Sequence, residues 1–113
     1  MNELIGLPAI VSTRHRIVID KAFRRLLGIP ETGSVQLVVN KTQLQVFPVA
    51  PAVPGAVIKD ISIGRFNLPM DWVKSNQIRV GDRVLLIATE DCILISPSVR
   101  QINSEMERND ESC

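Results

Sequence analysis

The sequence predicts a mostly β fold with short helices, built from two divergent copies of one β-α-β-β unit. Three observations carry this. Aromatic residues make up 4% of the chain against 45% hydrophobic residues in all, so the core is aliphatic and rich in the β-branched residues that favour strands. A proline-rich stretch, Pro48-Val-Ala-Pro-Ala-Val-Pro-Gly55, cannot be a helix interior or central strand, because proline fixes φ and removes backbone donors. The segments on either side of it match each other without a gap.

The match has an offset of 49 positions, which takes Arg16 to Arg65. At that offset Ile17 meets Phe66, Ile19 meets Leu68, Phe23 meets Trp72 and Ile29 meets Ile78. Further on, Val35 meets Val84, Leu37 meets Leu86, Val38 meets Ile87, Leu44 meets Ile93, Val46 meets Ile95 and Pro48 meets Pro97. Size and polarity agree along the whole half, and an internal repeat of this kind decides the fold class before any single element does.

Each half has the same grammar. A short alternating strand opens it, at 16–19 and 65–68. A helix follows at 21–27, where Asp20 suits the N-cap and Gly28 the left-handed stop. Its counterpart at 70–76 starts after Pro69, a residue suited to a first helical turn. Turns at 30–33 and 80–82 lead into strands at 35–39 and 83–88, and polar turns at 40–42 and 89–91 into closing strands at 44–47 and 92–96. The organisation expected is a first repeat at 1–48, a semi-rigid linker at 49–58, a second repeat at 59–98 and a polar, acidic, mostly disordered tail at 99–113, with a short helix conceivable at 99–106. A unit of about 40 residues has too little core to stand alone, so the two should share one.

The formal net charge is only +1, but it is unevenly spread. Residues 1–50 hold six Lys/Arg against three Asp/Glu, residues 51–98 five against five, and residues 99–113 two against four. The first half is therefore the basic one. Within it, the window 14–25 carries Arg14, Arg16, Lys21, Arg24 and Arg25 against Asp20 alone. On a helix Lys21 and Arg25 share a face, with Phe23, Leu26 and Leu27 expected on the core side. Guanidinium groups displayed this way fork onto phosphates or guanine edges; a solvated charged face is the plainer alternative.

Other chemistries find little support. Cys92 and Cys113 form no metal-ligand spacing, so neither a metal nor a cofactor is expected, and Cys92 reads as a buried thiol. Ser12, His15 and Asp20 are close in sequence but nothing suggests a triad, and no phosphate loop is present, so no enzyme activity is expected. There is no leader-like N-terminus, and no apolar run reaches the ~18 residues of a membrane span. A cytoplasmic protein without a membrane partner is the expectation.

The stretch Arg16-Ile-Val-Ile-Asp-Lys-Ala-Phe-Arg-Arg-Leu-Leu-Gly-Ile29 resembles the signature of the AbrB/MazE/MraZ-type swapped-hairpin (SpoVT-AbrB) transcription regulators. The second half resembles it through Gly64-Arg65-Phe66-Asn67-Leu68-Pro69 and Val80-Gly81-Asp82-Arg83-Val84. Together the two matches cover about 12–48 and 61–97. The resemblance implies a swapped-hairpin β-barrel that binds double-stranded DNA and so associates with the nucleoid; if only the first half contacts DNA, two chains are needed to present paired basic surfaces, so a homodimer or higher homo-oligomer is expected. It places Arg16, Arg24 and Arg25 at DNA-contacting positions of the helix and loop, and Arg65 at the loop position of the second half; Arg14 and Lys21 extend the same basic surface. Three departures stand out. His15 occupies a usual glycine, a position that tolerates His only at a cost if φ is positive. Asp20 replaces a proline. Val73 and Lys74 stand where the second arginine pair would be, so the first half is expected to bind DNA and the second to complete the core. Two alternatives remain open at this level: a MazE-like antitoxin that binds a toxin through the acidic tail, and a structural oligomer without DNA binding.

Overall fold

The computed structural model describes residues 5–97; the tail 99–113, with its conceivable helix, lies outside the described residues. In chain order the elements are β1 (Ile5–Ile10), a 3-10 turn (Thr13–His15), β2 (Arg16–Val18), α1 (Lys21–Leu27), β3 (Gly33–Val39), β4 (Leu44–Phe47), β5 (Val57–Ile61), β6 (Arg65–Asn67), α2 (Met70–Ser75), β7 (Arg83–Ala88) and β8 (Ile93–Pro97). The fold is thus mostly β with two short helices, as the composition and repeat indicate.

Each half has one strand more than the sequence predicts. β1 and β5 precede the expected units, and β5 begins at Val57, inside the stretch expected as linker. The reason lies in their residues. Gly6 and Pro8 break the strand pattern of β1, while β5 places exposed Val57 and Ile58 side by side and so shows no alternation.

All strand pairs are antiparallel. The main sheet has the order β1-β7-β8-β4-β3-β5, and β2 and β6 form a separate two-stranded ribbon. The order reads the same from either end when the halves are exchanged. It also interleaves them, since β1 of the first half pairs with β7 of the second, and β5 of the second pairs with β3 of the first. At the centre β4 meets β8, with Leu44 opposite Ile95 and Val46 opposite Ile93. The sheet ends at β1 and β5 and does not close on itself.

The repeat register is physical. Ile17, Ile19, Phe23, Ile29, Val35, Leu37, Leu44 and Val46 are all buried, and so are their partners Phe66, Leu68, Trp72, Ile78, Val84, Leu86, Ile93 and Ile95. They form one core cluster, as expected of two units too small to fold apart. Cys92 is buried as well.

The helix ends repeat too. The Asp20 carboxylate accepts from Ala22 N–H at 2.8 Å, satisfying an orphan donor of α1. Left-handed Gly28 (φ 69°) stops that helix, and Ile29 N–H reaches back to the Arg24 carbonyl at 2.9 Å, the closure of a Schellman-type end. In α2 the same bond runs from Ile78 to Val73 at 3.0 Å, with Gln77 (φ 54°) in the glycine's place.

The proline-rich segment is tied down rather than free. Gln36, buried on β3, donates from Nε2 to the carbonyls of Pro48 and Pro51, each at 2.8 Å, and accepts at Oε1 from Val53 N–H at 2.8 Å. One buried amide therefore satisfies three backbone groups of the crossover from β4 to β5.

Candidate nucleic-acid interface

The candidate surface is built on the β2–β6 ribbon. Its register places Arg16 opposite Asn67, Ile17 opposite Phe66 and Val18 opposite Arg65. Side chains alternate across a strand, and Ile17 and Phe66 are buried. Arg16, Val18, Arg65 and Asn67 consequently share the outward face. Arg65 is exposed and Arg16 half-buried, its Nε donating to the Thr13 carbonyl at 3.4 Å.

Two turns flank the ribbon, and both run through left-handed backbone. In the first, Arg14 has φ 64° and His15 φ 53°; in the second, Ile63 has φ 51° and Gly64 φ 73°. His15 has the same left-handed backbone as its counterpart Gly64 in the second turn, without glycine's freedom. The first turn is one residue longer at Thr13, so ahead of Arg14 the repeat offset changes from 49 to 50: bridges join Ser12 to Arg16 and Ser62 to Arg65, and buried Val11 and Ile61 correspond. Asn67 Nδ2 holds the first turn by donating to the Arg14 carbonyl at 3.1 Å, leaving the Arg14 side chain exposed.

α1 supplies the remaining charges. Lys21 and Arg25 are both exposed, one turn apart on the same face. Arg24 behaves differently. It is half-buried, its Nε donates to the Ile19 carbonyl at 3.2 Å, and it lies over the second turn, where a Cβ added to Gly64 would sit 3.3 Å from that nitrogen. Arg24 thus links the helix to the loop of the other half.

One expectation for α1 is corrected. Leu26, expected on the core side, is 67% exposed. The buried stripe of this two-turn helix is centred on Phe23 and Leu27, which lie at i,i+4, and it turns toward half-buried Arg24 and away from Leu26.

The second half does not duplicate the basic surface. Val73, in the place of Arg24, is buried in the core, and Lys74, in the place of Arg25, is exposed. At the turn tips Arg14 corresponds to Ile63, a residue that sequence reasoning does not single out. Its signal is an isoleucine beside a glycine between two charged strands, but only the register of the turns shows that it is a tip.

A shallow depression of about 500 Å³ lies elsewhere, lined by Asn40, Lys41, Thr42, Asp71, Trp72, Ser75 and Asn76. Of the lining residues, Trp72 has a buried Nε1 with no hydrogen-bond partner among the described residues. Among the described residues no three His, Cys, Asp or Glu side chains are grouped to hold a metal ion, and no helix is long and apolar enough to cross a membrane.

Comparison with family models, curated proteins and solved structures gives no match to this chain.

Proposed function

We propose that this chain is a DNA-binding transcriptional regulator of the AbrB type, which meets duplex DNA with the outward face of the β2–β6 ribbon and the exposed side of α1. The observation that carries the reading is the grouping of Arg14, Arg16 and Arg65 around one two-stranded ribbon, with Arg24 bridging to it from α1. Lys21 and Arg25 extend the surface along the helix. In this reading phosphate contacts by these groups fix the register, and contacts to base edges supply preference. The exchange of β1 and β5 between halves supports a swapped-hairpin arrangement formed within one chain. Because the second half lacks the arginine pair, two chains are proposed to present paired basic surfaces, as two-fold assemblies usually do.

The test is fluorescence anisotropy with labelled duplex DNA across a salt series. Arg25→Ala and Arg65→Ala should each lower affinity and reduce the salt slope by about 1 for each phosphate no longer neutralised, with circular dichroism unchanged. Arg24→Ala should in addition lower stability by about 1 kcal/mol, because it removes an internal hydrogen bond. No binding at low salt, or binding that ignores Arg25→Ala and Arg65→Ala together, overturns the reading.

A further inference from the structure

The tip of the second turn holds Ile63 in a conformation and a place that folding alone does not favour. At φ 51° a β-branched side chain is a steric outlier. Ile63 is also 68% exposed, so no core burial offsets that cost. The turn around it is nonetheless fixed. Ile63 N–H donates to Thr32 Oγ1 at 3.2 Å, Gly64 N–H donates to the Glu31 carbonyl at 2.8 Å, and the Gly64 carbonyl accepts from Ile19 N–H at 2.8 Å. Ser62 and Arg65 exchange two further backbone bonds, each at 2.9 Å. A rigid turn that displays a stiff apolar side chain has already lost the conformational entropy that binding would otherwise cost.

Its neighbours narrow the choice of ligand. Arg65 follows two residues later on the ribbon face, and Arg24 lies against Gly64. At the matching tip stands Arg14. An apolar protein patch is a poor match for a hydrophobic group set among guanidinium groups. A DNA major groove fits it, since phosphates and guanine edges meet the arginines and the thymine C5-methyl is the apolar feature of the base edges.

We propose that Ile63 covers a thymine methyl group in the major groove and so acts as a specificity-determining residue of this surface, with Arg14 at the other tip reading a different base or phosphate. The inference rests on the DNA-binding reading. It makes the two halves of the bound site unlike, one with a charged tip and one with an apolar tip.

The full chain first selects its preferred duplex from a random-sequence pool. That duplex is then prepared in two forms, with thymidine or with deoxyuridine, which differ only by the methyl groups. Affinity is measured for the wild type and for Ile63→Asn, because asparagine tolerates left-handed backbone and keeps the turn folded. The expected result is about a fourfold loss for the wild type on deoxyuridine, the worth of one covered methyl-sized group. Ile63→Asn should bind both duplexes equally, near the lower value. Equal wild-type affinity for the two duplexes, or an Ile63→Asn variant that keeps the full difference, overturns the inference while salt-dependent binding leaves the DNA reading standing. Absence of duplex binding at low salt overturns both, and Ile63 would then belong to a protein contact.

Discussion

The backbone N–H of Leu68 donates to the carbonyl of His15 at 2.8 Å, and Ile19 N–H donates to Gly64 at the same distance in the matching place. The two turns are therefore held by reciprocal bonds between halves, and each acceptor residue has positive φ. The left-handed region costs an L-residue roughly 1–2 kcal/mol, and glycine escapes that cost at the expense of chain entropy. His15→Gly should accordingly raise stability by about 0.5–1 kcal/mol. Gly64→Ala should lower it by about 1–2 kcal/mol, since the new Cβ also meets Arg24 Nε at 3.3 Å. Urea denaturation of the two variants checks both signs; wild-type stability in Gly64→Ala would contradict the strained turn.

Trp72 and Phe23 occupy equivalent places in the core, both 2% exposed, yet the indole brings a polar atom that has no partner among the described residues. A buried unsatisfied donor costs about 1–3 kcal/mol, which offsets much of the apolar area that the larger ring contributes. Trp72→Phe should therefore change stability by less than about 1.5 kcal/mol, as volume-tolerant swaps do. Trp72→Ala should lose about 3–5 kcal/mol. Thermal unfolding followed by far-ultraviolet circular dichroism separates the two, and a large loss in Trp72→Phe would mean that Nε1 is satisfied in solution.

What is legible in the sequence follows the range of the interactions concerned. The apolar pairs at offset 49 read directly because burial repeats with the local period of strand or helix, and each pair is buried on both sides. The helix start at Asp20 and its stop at Gly28 are local chemistry, and the structure forms both caps as written. β1 and β5 are edge strands whose residues break alternation, so no local pattern announces them. Pairing β1 with β7 and β5 with β3 depends on register between segments distant in the chain, which periodicity does not encode. For the site, the residue types of the basic window are visible. That Arg24 turns inward over Gly64, and that Ile63 stands opposite Arg14 in the repeat, depends on the left-handed turns.

Gln36 is the one buried polar or charged residue among those described, and its amide anchors the proline-rich crossover through three bonds. Its repeat partner is Leu85, so an apolar side chain suits the strand itself. Gln36→Leu should keep the sheet but leave the carbonyls of Pro48 and Pro51 and the amide of Val53 to water. The expected cost is about 1–3 kcal/mol. Limited proteolysis should then cut faster within 48–56 than elsewhere in the described chain, and an unchanged cleavage pattern would show that prolines alone hold the crossover.

The interleaved sheet makes a stronger claim about folding than the repeat does. If the halves were independent domains joined by a linker, a fragment ending in the proline-rich segment would keep its structure. Within residues 5–53, however, β1 is without β7, β2 without β6, and β3 without β5. Only the β3–β4 hairpin keeps its partner, and an isolated hairpin is marginal in water. The complementary fragment is left with β7–β8 alone. Each fragment should therefore show little β structure by circular dichroism, and an equimolar mixture should recover it. Because Trp72 is the only tryptophan and is buried in the shared core, recovery should appear as a blue shift of its emission. A first-half fragment that folds by itself as a monomer would mean that cross-half pairing is dispensable.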